Sequence, residues 1–445
     1  MTKTVAFHTL GCKVNQYDSQ AMLELLRAAG YRAVPFSADA DVYVINTCTV
    51  TGTGDRKSMQ TARRIRREHP DSALVLCGCL AQRKGEDLLR ETGAALVLGT
   101  QHRARIAELL ERALSSGTPL CAVDQLPPGT PYETLRVSTQ EEHTRATMKI
   151  QEGCSNRCTY CIIPEVRGPI RSRTLEDIRM EAQALAEAGF RELVLTGIHL
   201  SSYGRDFTPR LELMDAIRCV HGIDGIGRIR LGSLEPTVAT EAFAGAVAAL
   251  PKVCPQFHLA LQSGSDTVLH RMARRYNMDM YRTAVRNIRK AMPDAALTTD
   301  ILTGFPGETE QEFRETCEAV RSIGFARIHV FPFSPREGTP AASMPGQLSR
   351  EEKERRVREL IRIGAGTAAA YQNAWIGRES TVLLEERDSG GRWTGCTPEY
   401  LQVSVDADPT LSRGQLVSVR LDEIVPEGIR ATLLSDEKQE DEIHE

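Results

Sequence analysis

The first 114 residues alternate between short apolar runs and longer amphipathic stretches. The runs Val5–Leu10, Val42–Asn46, Ala73–Cys77 and Ala95–Leu98 read as strands, and Tyr17–Ala28 and Gln101–Leu114 carry apolar residues at helical spacing. Strand and helix in alternation predict a parallel sheet flanked by helices. Pro119, Pro127, Pro128, Gly129 and Pro131 then mark a linker. From about Thr144 to Ala370 the alternation resumes in longer units, with candidate strands Thr147–Gln151, Glu192–Thr196, Arg228–Leu231, Phe257–Leu261, Ala296–Ile301 and Arg327–Phe331, and helices such as Thr174–Ala188 and Glu310–Ile323. Six such units predict a partial or opened (β/α)6 barrel, whose chemistry belongs on the loops at the C-terminal strand ends. Beyond Trp375 the pattern changes to short β-like runs, Thr381–Glu385, Leu401–Val405, Leu416–Leu421 and Gly428–Leu434, broken at Asp388–Gly391 and Asp408–Pro409. These runs predict a small all-β barrel.

The fold class is therefore α/β, divided at residues 1–116 (parallel sheet), 117–140 (linker), 141–372 (partial barrel), 373–436 (small β barrel) and 437–445 (tail). The tail, from Ser435 to Glu445, is strongly acidic and reads as disordered. Internal repeats are absent.

Composition narrows the class. The 445 residues are 41% hydrophobic and 26% charged, an ordinary globular balance, and no apolar stretch reaches the roughly 20 residues of a membrane helix. Met1–Leu10 lacks the form of an export signal, so a cytoplasmic protein is expected. A net charge of −4 does not exclude RNA, because a local basic stripe suffices to bind it. Twelve cysteines in a reducing compartment point away from disulfides and toward metal binding or catalysis.

Cys154, Cys158 and Cys161 follow the first barrel strand in the run Gly153-Cys154-Ser155-Asn156-Arg157-Cys158-Thr159-Tyr160-Cys161. A structural zinc ion takes four ligands and no fourth Cys or His lies nearby, whereas three thiolates on a cubane iron–sulfur cluster leave one iron open to a small molecule. Buried apolar thiols are a poor alternative, since the intervening Ser155, Asn156, Arg157 and Thr159 are polar. Turns rich in Gly, Ser or Pro close the next four strands: Thr196-Gly197, Ser233-Leu234-Glu235-Pro236, Gln262-Ser263-Gly264 and Gly304–Thr309. Thr196, Gly197, Ser233, Glu235 and Gln262 are the cofactor-binding candidates among them. The GK[ST] of a P-loop is missing, which excludes that class of nucleotide triphosphatase. No general acid or base stands out; His199 and His329 lie near strand ends.

The CxxxCxxC spacing resembles the signature of the radical S-adenosylmethionine superfamily. The resemblance implies that the open iron chelates S-adenosylmethionine, that the cluster opens its sulfonium to a 5′-deoxyadenosyl radical, and that Tyr160 lies beside the adenine. A second cysteine set, Cys12, Cys48 and Cys79, sits at or just after three strand ends of the first sheet, which a parallel sheet brings to one edge. Cys77 lies two residues before Cys79, and spacing alone leaves both open as the third ligand.

Gly11–Gln16, Asn46-Thr47-Cys48 and Gly78–Gln82 resemble the amino-terminal domain of the methylthiotransferases, radical enzymes acting on tRNA adenosine or on a ribosomal protein. Ser233–Pro236, Gln262–Gly264 and Gly304–Thr309 share the likeness, and the last barrel is similar to the RNA-binding TRAM domain. Within that family the Ala-Gln after Cys79 favours Cys79, and Cys77 closes an apolar strand. The resemblance implies two [4Fe-4S] clusters, one on each cysteine set. It further implies one S-adenosylmethionine giving a methyl group to a sulfur at the first-domain cluster, and a second being cleaved so that hydrogen is abstracted at or near adenosine C2. Cys121, Cys219, Cys254, Cys317 and Cys396 match no motif.

Gly11–Ser19 resembles the branch that modifies N6-threonylcarbamoyladenosine beside the tRNA anticodon; the isopentenyladenosine and ribosomal-protein branches are the alternatives, and a zinc-containing RNA-binding protein is a further one. Expected partners are tRNA, an electron donor such as a flavodoxin or ferredoxin, and a sulfur donor. Arg56, Lys57, Arg63, Arg64, Arg66 and Arg67 crowd one predicted helix that suits phosphates or is a solvated face, and Trp393 and Tyr400 offer stacking surfaces or barrel core.

Overall fold

The computed structural model describes residues 2–140 and 144–434. The acidic tail lies outside the described residues. The first body is a six-stranded, all-parallel sheet in the order Arg32–Ala33, Thr4–Thr9, Val42–Thr47, Ala73–Gly78, Leu96–Leu98, Leu120–Ala122. Val42–Thr47 is buried along its whole length because helices cover both faces. Met22, Leu26, Ile106 and Leu110 pack on one face, and Ala62, Ile65, Leu80 and Leu88 on the other.

Leu120–Ala122 corrects the linker reading at its start. Three residues between Pro119 and a Pro-rich run carry too weak an alternation to announce a strand, yet they pair with Leu96–Leu98 at the sheet edge. Farther on, Leu135 and Val137 are buried against Tyr17 and Ala21, and Tyr17 donates its hydroxyl to the Leu135 carbonyl at 2.6 Å.

The second body carries the six expected strands as Ala146–Glu152, Glu192–Gly197, Arg228–Leu231, Gln256–Leu259, Ala296–Thr303 and Arg327–Pro332. They form two hydrogen-bonded groups, which approach at the Ile229–Val253 bridge and make an open arc. Ile150, Leu195, Ile229, Phe257, Leu259 and Ile301 belong to the core under the outer helices. The alternating positions Glu192, Arg228, Arg230, Gln256, His258, Thr298, Asp300 and His329 therefore face the inside of the arc. The outer helices start where their caps dictate: Thr174 accepts from the Asp177 N–H, and Thr309 and Glu312 form a reciprocal capping box.

Helix Arg350–Asn373 packs on strand Arg327–Pro332 and leads into a closed five-stranded barrel, ordered Glu379–Arg387, Trp393–Cys396, Gln402–Val405, Gly428–Leu433, Leu416–Val425. Trp393–Cys396 is a strand that the alternation pattern did not announce, because its four residues include a glycine and a threonine. Gly395 is obligatory there, since a Cβ would stand 2.0 Å from the Leu383 carbonyl oxygen. This barrel closes the floor of the arc. Arg228 donates to the Cys396 and Thr381 carbonyls at 2.9 Å each, and Arg230 to the Thr397 and Pro398 carbonyls at 3.1 Å each. No helix among the described residues is long and apolar enough to cross a membrane.

Arg230 is buried and pairs with the buried Glu192 at 2.8 Å. Arg230→Ala is expected to cost about 3 kcal/mol, because it leaves the buried Glu192 carboxylate with Arg228 at 3.6 Å in place of its closer partner. Denaturant unfolding should show that loss, and limited proteolysis should cut earlier between the arc and the small barrel; an unchanged midpoint refutes the assignment.

Candidate metal centres

Strand Ala146–Glu152 delivers its chain into the loop that carries Cys154, Cys158 and Cys161. Gly153 makes the turn at φ +71°, where a Cβ would come within 1.9 Å of the Pro169 carbonyl oxygen. Backbone hydrogen bonds pin the loop: Cys154 N–H to Gly168 at 3.0 Å, Thr159 N–H to Met272 at 3.1 Å and Cys161 N–H to Cys158 at 3.0 Å. The three thiols line one cavity of about 150 Å³, shared with Tyr160, His199, Ser233, Glu235 and Arg274.

Burial pushes the Cys161 thiol up to about 12, reinforced by Cys158 and Cys154, and burial raises Cys154 as well. Thiols raised in this way become thiolates only against a strong positive load, which is the chemistry of an iron–sulfur ligand set. Arg274 supplies part of that charge, donating to the Cys158 sulfur at 3.2 Å while pairing with Glu235 at 3.1 Å. Glu235 also accepts from Asn156 at 3.3 Å and lies 3.2 Å from His199 Nε2.

Of the residues expected at the cosubstrate, Tyr160, Ser233 and Glu235 line this cavity. Thr196, Gly197 and Gln262 do not. Gly197 is packed against Gln151, and Gln262 adopts a left-handed φ of +62° while its backbone bridges to Asp300 and Leu302. His329 stands apart inside the arc, 6.5 Å from the His258 ring. Arg274 was not legible as a site residue, because Arg271–Tyr276 reads simply as a basic turn.

The second set gathers at the edge of the parallel sheet. Cys12 caps helix Lys13–Ala28, Cys48 follows strand Val42–Thr47, and Cys79 opens helix Cys79–Lys84. Gly11 abuts the Cys48 sulfur so closely that a Cβ would lie 3.0 Å from it. Burial raises Cys48 to about 11, and Cys79 and Cys12 add to the shift. Asn15 ties the loops together, donating to the Leu10 and Thr47 carbonyls at 2.7 and 3.1 Å. Cys77 points the other way, into the apolar cluster of Val44, Leu96 and Leu98, with its thiol 3.7 Å from the Ile45 carbonyl.

Among the described residues no three His, Cys, Asp or Glu side chains stand close enough to hold one metal ion. Each set offers three thiols, the ligand count of a cubane cluster with one open iron and one short of a structural zinc site. Arg167 spans the two sets. It donates to the Cys79 sulfur at 3.2 Å and to Glu152, two residues before Cys154, at 3.0 and 3.1 Å.

The basic helix is Gly52–Glu68, which starts four residues after Cys48. Arg56, Lys57, Arg63, Arg64 and Arg67 are exposed on it, whereas Arg66 is spent on the Pro70 and Ser72 carbonyls. The stacking expectation is corrected. Trp393 is barrel core beneath the Arg387 guanidinium, and Tyr400 lies under Arg230 at the junction with the arc.

Two family models match the chain: residues 4–99 match an uncharacterized protein family, UPF0004, and residues 148–320 match the radical SAM superfamily. The threonylcarbamoyladenosine tRNA methylthiotransferase MtaB of Bacillus subtilis is 39% identical over 427 residues, covering 94% of this chain and 93% of that protein. Its namesake from Thermotoga maritima is 34% identical over 429 residues, covering 96% of each. Among solved structures, the radical S-adenosylmethionine methyltransferase TsrM from Kitasatospora setae aligns with a TM-score of 0.56 at 16% identity, covering 77% of each chain, a likeness of fold alone.

Replacing Cys79 by Ala is expected to lower the iron retained after anaerobic reconstitution, and Cys77→Ala to leave it unchanged. Equal iron in the two variants, measured per chain, refutes the choice between them.

Proposed function

The chain belongs to the threonylcarbamoyladenosine tRNA methylthiotransferases, and on that premise we propose that it replaces the C2 hydrogen of N6-threonylcarbamoyladenosine at position 37 of tRNA by a methylthio group. It is a transferase of the radical SAM superfamily, using S-adenosylmethionine and a [4Fe-4S] cluster. The observation that carries the finer reading is the bridge that Arg167 makes between Cys79 of the first body and Glu152, two residues before Cys154, of the second.

On this reading Cys154, Cys158 and Cys161 hold the radical-generating cluster, and Cys12, Cys48 and Cys79 hold a second cluster from which sulfur is delivered. When bound, the first cluster supplies the electron that opens the sulfonium of S-adenosylmethionine. The chain's own residues position and exclude. Tyr160, Ser233 and Glu235 line the cosubstrate cavity, with Thr196, Gly197 and Gln262 at neighbouring strand ends. Arg274 and Glu235 fix the Cys158 sulfur, and the small barrel shuts the far end of the arc against water. An electron donor of the flavodoxin or ferredoxin kind and a sulfur donor complete the cycle, in the cytoplasm. The exposed arginines of helix Gly52–Glu68 suit the phosphates of the anticodon arm.

Lys13 supports the substrate assignment. It follows Cys12, and among the described residues no hydrogen bond or ion pair holds its ammonium. The side chain is exposed, yet it lies within reach of the charges of Arg145, Arg230, Glu192 and His329, which places it toward the inside of the arc. Glu192 is already committed to Arg230. An unpaired cation facing this space matches the carboxylate of a threonylcarbamoyl group, which an isopentenyl group lacks.

Mass spectrometry of tRNA nucleosides from a deletion strain is expected to lose 2-methylthio-N6-threonylcarbamoyladenosine and keep 2-methylthio-N6-isopentenyladenosine. The reverse pattern, or a changed ribosomal protein with intact tRNA, overturns the assignment. Lys13→Gln should raise KM for threonylcarbamoyl tRNA about tenfold, the loss of one charge-assisted hydrogen bond, with a smaller change in 5′-deoxyadenosine formed without tRNA. An unaltered KM removes Lys13 from the substrate site.

A further inference from the structure

We propose that Arg167 is the positioning residue of the second cluster, setting its reduction potential and locking it in register with the radical-generating loop; this rests on the two-cluster reading above. Arg167 ends helix Ile163–Arg167, six residues after Cys161, and is wholly buried. Every edge of its guanidinium is committed. Nε donates to the Cys79 sulfur at 3.2 Å, Nη1 to Glu152 at 3.0 and 3.1 Å and to Asp18 at 3.2 Å, and Nη2 to the Asn15 side-chain oxygen.

These contacts reach all three loops of the second set. Cys79 is touched directly. Asn15, held by Nη2, donates to the carbonyl of Leu10, two residues before Cys12, and to that of Thr47, the residue before Cys48. In the other direction Glu152 precedes Gly153 and Cys154 on the same strand end. One side chain thus touches a ligand of the second set directly and reaches the first set's loop only through Glu152.

The electrostatic consequence follows from the same contact. A buried N–H donor and a full positive charge against a thiolate sulfur stabilise the more negative, reduced state of a cluster, and so raise its reduction potential. Arg274 stands in the same relation to Cys158, giving each site one guanidinium of its own. Lysine cannot reproduce the fan of donors, because its ammonium is a point charge on a flexible stem, but it keeps the positive charge.

The test is anaerobic reconstitution of the full chain as wild type, Arg167→Lys and Arg167→Gln, with iron and sulfide counted and EPR-monitored redox titrations run on each. Cys154→Ala in the same backgrounds isolates the signal of the second cluster. A lowered potential of the second cluster in Arg167→Gln, partly restored in Arg167→Lys, with the first cluster's potential unmoved, is the expected result. Selective loss of the second cluster's iron in Arg167→Gln, partly restored in Arg167→Lys, supports it equally. Wild-type iron, potential and spectrum in both variants overturns the proposal, as does equal loss of both clusters. Wild-type chain that takes up a single cluster defeats the two-cluster reading instead, before any variant is compared.

Discussion

The two bodies of this protein are joined through a buried knot of charge. Asp18 from the first body, Glu152, Lys149 and Arg167 from the second, and Arg103 from the turn before helix Ile106–Ser116 are each 2% exposed or less. Arg103 and Lys149 both pair with Asp18, Lys149 reaches Glu152 at 3.1 Å, and Arg103 also holds Glu133 at 2.9 Å. Burial opposes ionisation of Glu152, but Arg167, Lys149 and Arg103 outweigh it and hold its carboxyl well below the usual range. Burying a charge costs several kcal/mol, recovered only when its partners are in place. The knot is therefore satisfied in one mutual placement of the two bodies, and through Arg167 that placement ties Cys79 to the strand end that leads into Cys154.

The rest of the architecture serves the same placement. The parallel sheet brings Cys12, Cys48 and Cys79 to one edge, and the arc brings its own triplet to its strand ends, but neither body alone fixes the distance between them. Helix Lys13–Ala28 connects the two requirements, since Cys12 caps it and Asp18 projects from it into the knot. A methylthio transfer needs the sulfur source and the radical source to share one substrate atom, so rigidity here matters more than stability.

The small barrel plays a different part from the one its aromatic residues suggested. Trp393 is spent on the barrel core, and the partly exposed Tyr400 lies against Arg230 at the junction with the arc. Its closest role is to close the arc, through backbone carbonyls that accept from Arg228 and Arg230. A row of exposed arginines lies instead on helix Gly52–Glu68, which starts four residues after Cys48.

The sequence by itself determined the three-part organisation, the six strands of the arc and the two cysteine triplets, because periodicity and thiol spacing are local properties. Strand ends shifted by a residue or two, as at Gln256–Leu259, where side-chain pattern does not mark the last hydrogen bond. The short strands Leu120–Ala122 and Trp393–Cys396 escaped notice because their place depends on a partner strand and not on their own alternation. Spacing left Cys77 and Cys79 open and the family likeness favoured Cys79; the tertiary structure adds that Cys77 points into the apolar cluster of Val44, Leu96 and Leu98. Only the tertiary structure exposed Arg167 and Arg274 as sulfur contacts: an arginine in a polar stretch looks solvated until the fold buries it against a thiol from far along the chain.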